Sequence, residues 1–146
     1  MAYSQWRVSH TAKLTNLIES LPPMSLEELI QYFQYSNMST SHPDFCGLYK
    51  GVIRCHSNPK LNCLFCACPH FVCSDEPLST TPDGIKTFSV CSIGSSKAKP
   101  FVIDSSCHCD CSDCFLPHSR GHMDVLLKDV RSVPELISYL RRSNVT

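Results

Sequence analysis

Eleven cysteines, all between Cys46 and Cys114 of a 146-residue chain, decide what this sequence can fold into. Residues 1–45 and 115–146 contain none, so the chain divides into an N-terminal helical flank (1–45), a cysteine-rich core (46–118) and a C-terminal helical flank (119–146). The middle spreads few apolar residues through long Pro- and Ser-bearing stretches, such as Ser74 to Pro82 and Ser92 to Pro100. Such a segment cannot build a conventional core, and bound metal is the natural substitute for the missing hydrophobic stabilisation. Disulfides fit less well. Met1 to Thr15 lack the apolar stretch of a secretory signal, and no segment approaches the roughly 18 apolar residues of a membrane span. The expected location is cytoplasmic, where thiols stay reduced, and the odd count would leave one cysteine unpaired.

Spacing points the same way. Cys63-Leu64-Phe65-Cys66 and Cys111-Ser112-Asp113-Cys114 are Cys-x-x-Cys knuckles, turns that aim two thiolates at one ion while backbone amides reach the sulfurs. Cys55-His56 precedes the first knuckle, and Cys68 and Cys73 follow it. Cys107 and Cys109 precede the second, and His118 and His122 follow. Knuckles paired at distant positions are how a zinc ribbon closes one tetrahedral site. With His56, His70, His108, His118 and His122 the eleven cysteines could formally fill four such sites, but adjacent residues rarely serve one ion, so about two zinc ions are expected. The steps Cys66-x-Cys68 and Cys107-x-Cys109-x-Cys111 could split between neighbouring ions or bridge them. Zinc leads because it closes four-coordinate sites from thiolate and imidazole without redox machinery. An iron–sulfur cluster is the alternative, on the thiolate surplus and Cys68-Pro69, although the repeated Cys-x-x-Cys-x-x-Cys spacing is absent. A zinc with an open position, or a nucleophilic thiol, is a third reading, and no catalytic constellation stands out to support it.

His118, four residues beyond a knuckle cysteine, reads as a fourth ligand or as a donor behind one. His10, His42 and His70 read as surface or packing residues. Asp110 and Asp113 read as turn formers before acid–base groups. Lys plus Arg equals Asp plus Glu at 13 each, so no basic excess suits nucleic acid or anionic lipid. Four thiolates around one zinc would add a net charge of about −2 at the centre, which weakens that case further. The expected partner is a protein or a small molecule.

The strings Cys55-His56, Asn62-Cys63-Leu64-Phe65-Cys66-Ala67-Cys68-Pro69, Gly84-Ile85-Lys86 and Cys111-Ser112-Asp113-Cys114-Phe115-Leu116-Pro117-His118 resemble the cysteine-rich small domain family of bacteria and archaea. That family is zinc-finger-like and associated with metal binding. The resemblance covers Cys46 to Leu127 and leaves residues 1–45 outside it. It implies metal ligands at Cys55, His56, Cys63, Cys66, Cys68, Cys73, Cys111, Cys114 and His118, with Cys46, Cys107 and Cys109 less firmly implied. It also implies a cobalamin-related context. The chain departs from the family pattern by an insertion, Thr87 to Asp110, which brings in Cys91, Cys107 and Cys109.

In the flanks, Leu14, Leu17, Ile18 and Leu21 share one face of a helix that Pro22-Pro23 stops. Ser25 with Glu28 forms a capping box for a second helix carrying Leu26, Leu29, Ile30 and Phe33, ended by the polar run Ser36 to Ser41. The two helices are expected to form an antiparallel hairpin. Residues 124–130 form a short helical segment, and Ser132 with Glu135 caps a last helix whose Leu136, Ile137 and Leu140 face inward. Both capped strings follow one pattern, which convergence explains without duplication. Trp6, Tyr32, Phe33 and Tyr35 suit core before a partner surface. Extended pieces are expected at 52–54, 86–93 and 101–104. The fold class is α+β: a small metal-stabilised core of short strands and loops, flanked by helices that pack on it or pair with a second copy.

Overall fold

The computed structural model of the chain describes residues 3–143. It is α+β, with helices at both ends and small sheets between them. Helix α1, Tyr3–Ser20, ends just before Pro22-Pro23. Helix α2, Leu26–Tyr32, starts at Ser25, whose hydroxyl accepts the Glu28 N–H at 3.1 Å. The polar run after it does not end the helical region. Tyr35–Ser41 form α3, because Tyr35 and Met38 are buried and Thr40 and Ser41 bond back to Ser36 O and Asn37 Oδ1, so tertiary burial overrides weak local propensity. The segment expected over 124–130 lies earlier, as α4, Arg120–Leu126, where Met123 is the fully buried residue.

The last helix, α5, Val133–Arg142, is capped as its sequence predicts: the Ser132 hydroxyl accepts the Glu135 N–H at 3.3 Å, and Arg141 and Arg142 occupy the negative pole of the helix. Ser132→Ala should lower stability by about 1 kcal/mol, the usual worth of such a cap, read as a fall in urea midpoint at unchanged slope.

The two flanks meet in one hydrophobic core. Leu14 and Ile18 of α1, Leu29 and Ile30 of α2, Met38 of α3 and Leu136 and Leu140 of α5 belong to it, and α1 packs directly on α5. Phe33, between α2 and α3, is fully buried. Leu61, Leu64 and Phe65 join the same cluster, so the first knuckle is built inside the core. The cysteine-rich middle therefore has apolar support at its beginning. It has much less in the strands that follow.

Strand β1, Phe71–Cys73, pairs antiparallel with β4, Ser89–Cys91, setting Phe71 opposite Cys91. A four-stranded sheet runs β2 (Ser79–Thr80), β3 (Lys86–Thr87), β6 (Ser106–Asp110), β5 (Lys99–Ile103), with the β3–β6 pair parallel. The β5–β6 hairpin turns on Asp104 and Ser105, at φ 47° and 62°, the positive pair that matches strand twist in a two-residue turn. The extended piece expected at 52–54 is absent: Val52 sits at φ 54° and closes the 3₁₀ turn Tyr49–Gly51. The piece expected over 86–93 is two strands in different sheets, divided at Phe88. Strand β6 escapes the apolar-alternation signal because its inward positions are Cys107 and Cys109, with His108 and Asp110 outward. Among the described residues no helix is long and apolar enough to cross a membrane.

Candidate metal centre

The first knuckle is fastened to the helices by main-chain bonds. Cys63 N–H donates to Phe33 O at 2.8 Å and Tyr35 N–H to Leu61 O at 2.9 Å, a β-bridge of Gln34 with Asn62. Buried Asn62 organises the turn. Its carboxamide donates to Ile30 O at 2.7 Å and accepts the Leu64 N–H at 3.0 Å, while its own carbonyl lies 2.7 Å from His118 Nδ1. A carbonyl only accepts, so Nδ1 carries the proton and His118 Nε2 keeps its lone pair. Burial lowers the His118 pKa, with the neighbouring His56 adding to it and the Asn62 hydrogen bond opposing it. A neutral ring with one nitrogen committed to a backbone carbonyl is the form in which histidine ligates metal.

His118 has company. Donor atoms of Cys55, His56 and His118 all lie within 4.8 Å of one another, with the two imidazoles 4.9 Å apart between centroids. They line a cavity of about 260 Å³ whose wall also holds Cys46, Cys63 and Cys66. Burial pushes the Cys63 thiol up to about 11 against an opposing Tyr49 hydroxyl, and burial together with Cys63, Cys46 and Cys55 pushes Cys66 up to about 12. Crowded thiols of this kind resist ionisation until a cation supplies the missing charge, which reverses the shift. Among the described residues Tyr49 Oη, a buried side-chain oxygen, has no hydrogen-bond partner. The Cys63 sulfur beside it becomes its acceptor once that thiol is ionised.

Helix α1 braces this region with polar side chains. Arg7 donates to Phe71 O at 2.6 Å and Cys68 O at 3.0 Å, and Lys13 donates to Asp44 O at 2.6 Å and Phe45 O at 3.0 Å. His10 is buried, stacks on Trp6 and brings Nε2 to 3.5 Å from Cys66 Sγ. Its pKa falls to about 4 through burial, then Lys13, so it meets the thiol uncharged.

Cys111 and Cys114 line a second cavity, of about 100 Å³, together with Cys68 and Cys91, and Cys66 of the first knuckle, His56 and His118 border both cavities. Cys73 and Cys109 line an open depression elsewhere with His108, and Cys107 borders none of these three. His70 Nε2 lies 2.8 Å from His122 Nε2 at the rim of the smaller cavity. Asp110 accepts the Ser112 N–H at 2.9 Å and Asp113 pairs with Lys99 at 3.2 Å, both exposed, as turn and surface roles require.

Cys55 and Cys63 therefore gather at the first cavity and Cys68, Cys111 and Cys114 at the second, with His56, Cys66 and His118 bordering both and Cys73 apart. Asn62, Tyr49, His10 and Arg7 were not among the sequence candidates. Asn62 stands within the knuckle string. Arg7 and His10 recur at helical spacing with Leu14, but hydrophobic patterning does not register them, and Tyr49 carries no sequence signal. All eleven cysteines are free thiols. No family model, curated protein or solved structure matches the chain.

Proposed function

We propose that the protein binds zinc at Cys55, His56 and His118, closed to four-coordination by a thiolate of the same wall, as a structural or binding module. The convergence of those three donor atoms, with His118 Nδ1 already committed to Asn62 O, carries this reading. The donor set suits zinc: borderline-soft, tetrahedral, satisfied by imidazole and thiolate. Ionised by a bound cation, Cys63 would also supply the acceptor that the buried Tyr49 hydroxyl lacks among the described residues. The resemblance to the cysteine-rich small domain family supports the same chemistry. Bound there, the ion would cross-link the 55–56 loop, which has no regular secondary structure, to the 3₁₀ turn Leu116–His118.

Elemental analysis of anaerobically purified protein tests this directly. The expected sample is colourless with stoichiometric zinc, and His118→Ala lowers the zinc content by one ion per chain. Visible absorption near 400 nm with iron in place of zinc overturns the proposal, as does a His118→Ala variant that keeps the full zinc content.

A further inference from the structure

We propose a second metal centre, formed by the four thiolates of Cys68, Cys91, Cys111 and Cys114. The inference goes beyond the first centre, and it rests on the reading of this chain as a zinc protein. Three separate segments deliver the sulfurs. Cys68 follows the first knuckle, where Arg7 grips its carbonyl and the Phe71 N–H closes a turn onto it at 3.2 Å. Cys111 and Cys114 form the second knuckle, closed by the Cys114 N–H donating to Cys111 O at 2.9 Å.

Cys91 comes from the insertion, and strand pairing explains its arrival. The β1–β4 register sets it against Phe71, three residues beyond Cys68, and the Ser92 N–H locks onto His70 O at 2.8 Å. Ser89, at the start of β4, accepts the Cys109 N–H at 2.8 Å and ties the same strand to β6, which leads into the second knuckle. Two sheets thus converge on one enclosed space.

The space has the chemistry of a thiolate site. Phe71, Ile93, Ala98, Leu116 and Pro117 form its apolar lining, and His56, Cys66, His70 and His118 border it as well. The Ser95 hydroxyl sits 3.6 Å from Cys114 Sγ, placed to donate to it once it is ionised. Cys109 Sγ approaches Cys111 Sγ to 3.4 Å but opens on the other depression, which leaves it outside the set. Among the described residues only Cys55, His56 and His118 hold three donor atoms mutually within 4.8 Å, so the second set is wider and an ion must draw it in by side-chain rotation. Four thiolates select zinc over harder divalent ions.

The test uses the full chain loaded with zinc and two variants, one per centre. Wild type should hold two ions, Cys91→Ser one, His118→Ala one, and the double variant none. A Cys91→Ser protein that keeps the wild-type count while His118→Ala loses an ion overturns the second centre and leaves the first standing. Failure of His118→Ala to lose an ion sinks the first reading without touching the second. If Cys91→Ser does not fold, alkylation of the wild-type protein decides. Cys91 should react about tenfold or more slowly in the zinc-loaded protein than after chelation, since a metal-bound thiolate is withdrawn from attack. Equal rates at Cys91 in the two states overturn the proposal.

Discussion

Chelation at neutral pH should divide the molecule into a part that stays folded and a part that does not. Amide protection should vanish through 68–116 and persist in α1, α2, α5 and the 61–65 segment. The strands of the middle have two to five residues, and Phe101, Val102 and Ile103 of β5 are each more than half exposed. Short, solvated strands of this kind are marginal on their own. Structural zinc in small domains contributes roughly 10–16 kcal/mol of binding free energy that is also folding free energy. Nothing apolar in the middle replaces it. The helices and the Leu61–Leu64–Phe65 segment instead share a continuous core whose loss would require global unfolding. Exchange in β5 and β6 should accelerate by about 10³-fold or more on metal removal, about 4 kcal/mol of local stability. Metal-free protein that keeps native amide protection through 68–116 would contradict the role assigned to the ions.

That division was only partly legible in the sequence. Capping boxes at Ser25 and Ser132 are local events, a hydroxyl meeting an amide three residues on, and they appear where the spelling places them. The Cys-x-x-Cys turns are equally local. Which ion each thiol serves depends instead on strand register, and β1, β2 and β6 are too short or too cysteine-rich to announce themselves. The arrival of Cys91 beside Cys68 follows from a three-residue pairing, which no periodicity reveals. The first half of α1 was missed for a related reason. Its inward residues are Tyr3, Arg7 and His10, aromatic or charged, and they pack on backbone carbonyls, rings and sulfur, so a hydrophobic-face reading begins only at Leu14.

Asn62→Ala should be among the most damaging single changes that touches no ligand. Asn62 joins three things: α2 and the knuckle turn through its carboxamide, to Ile30 O and from the Leu64 N–H, and His118 through its own main chain. Truncation leaves the Ile30 carbonyl and the Leu64 amide buried without these partners, and each such loss costs about 1–3 kcal/mol, so a fall of about 2–4 kcal/mol is expected. Asn62→Asp should do no better, because it keeps the acceptor for Leu64 but turns a carboxylate oxygen toward the Ile30 carbonyl. The alanine variant keeps the backbone carbonyl that orients His118, so the ring retains its tautomer and loses only its fixed position. Groups that orient metal ligands typically contribute 10–100-fold in affinity, which sets the expected weakening at the first centre. The second centre, on the far side of Cys66, should keep its ion. Competitive titration with a chelator separates these outcomes: one weakened site beside one unchanged site fits the bracing role, whereas equal weakening of both would reduce Asn62 to a general stabiliser of the fold.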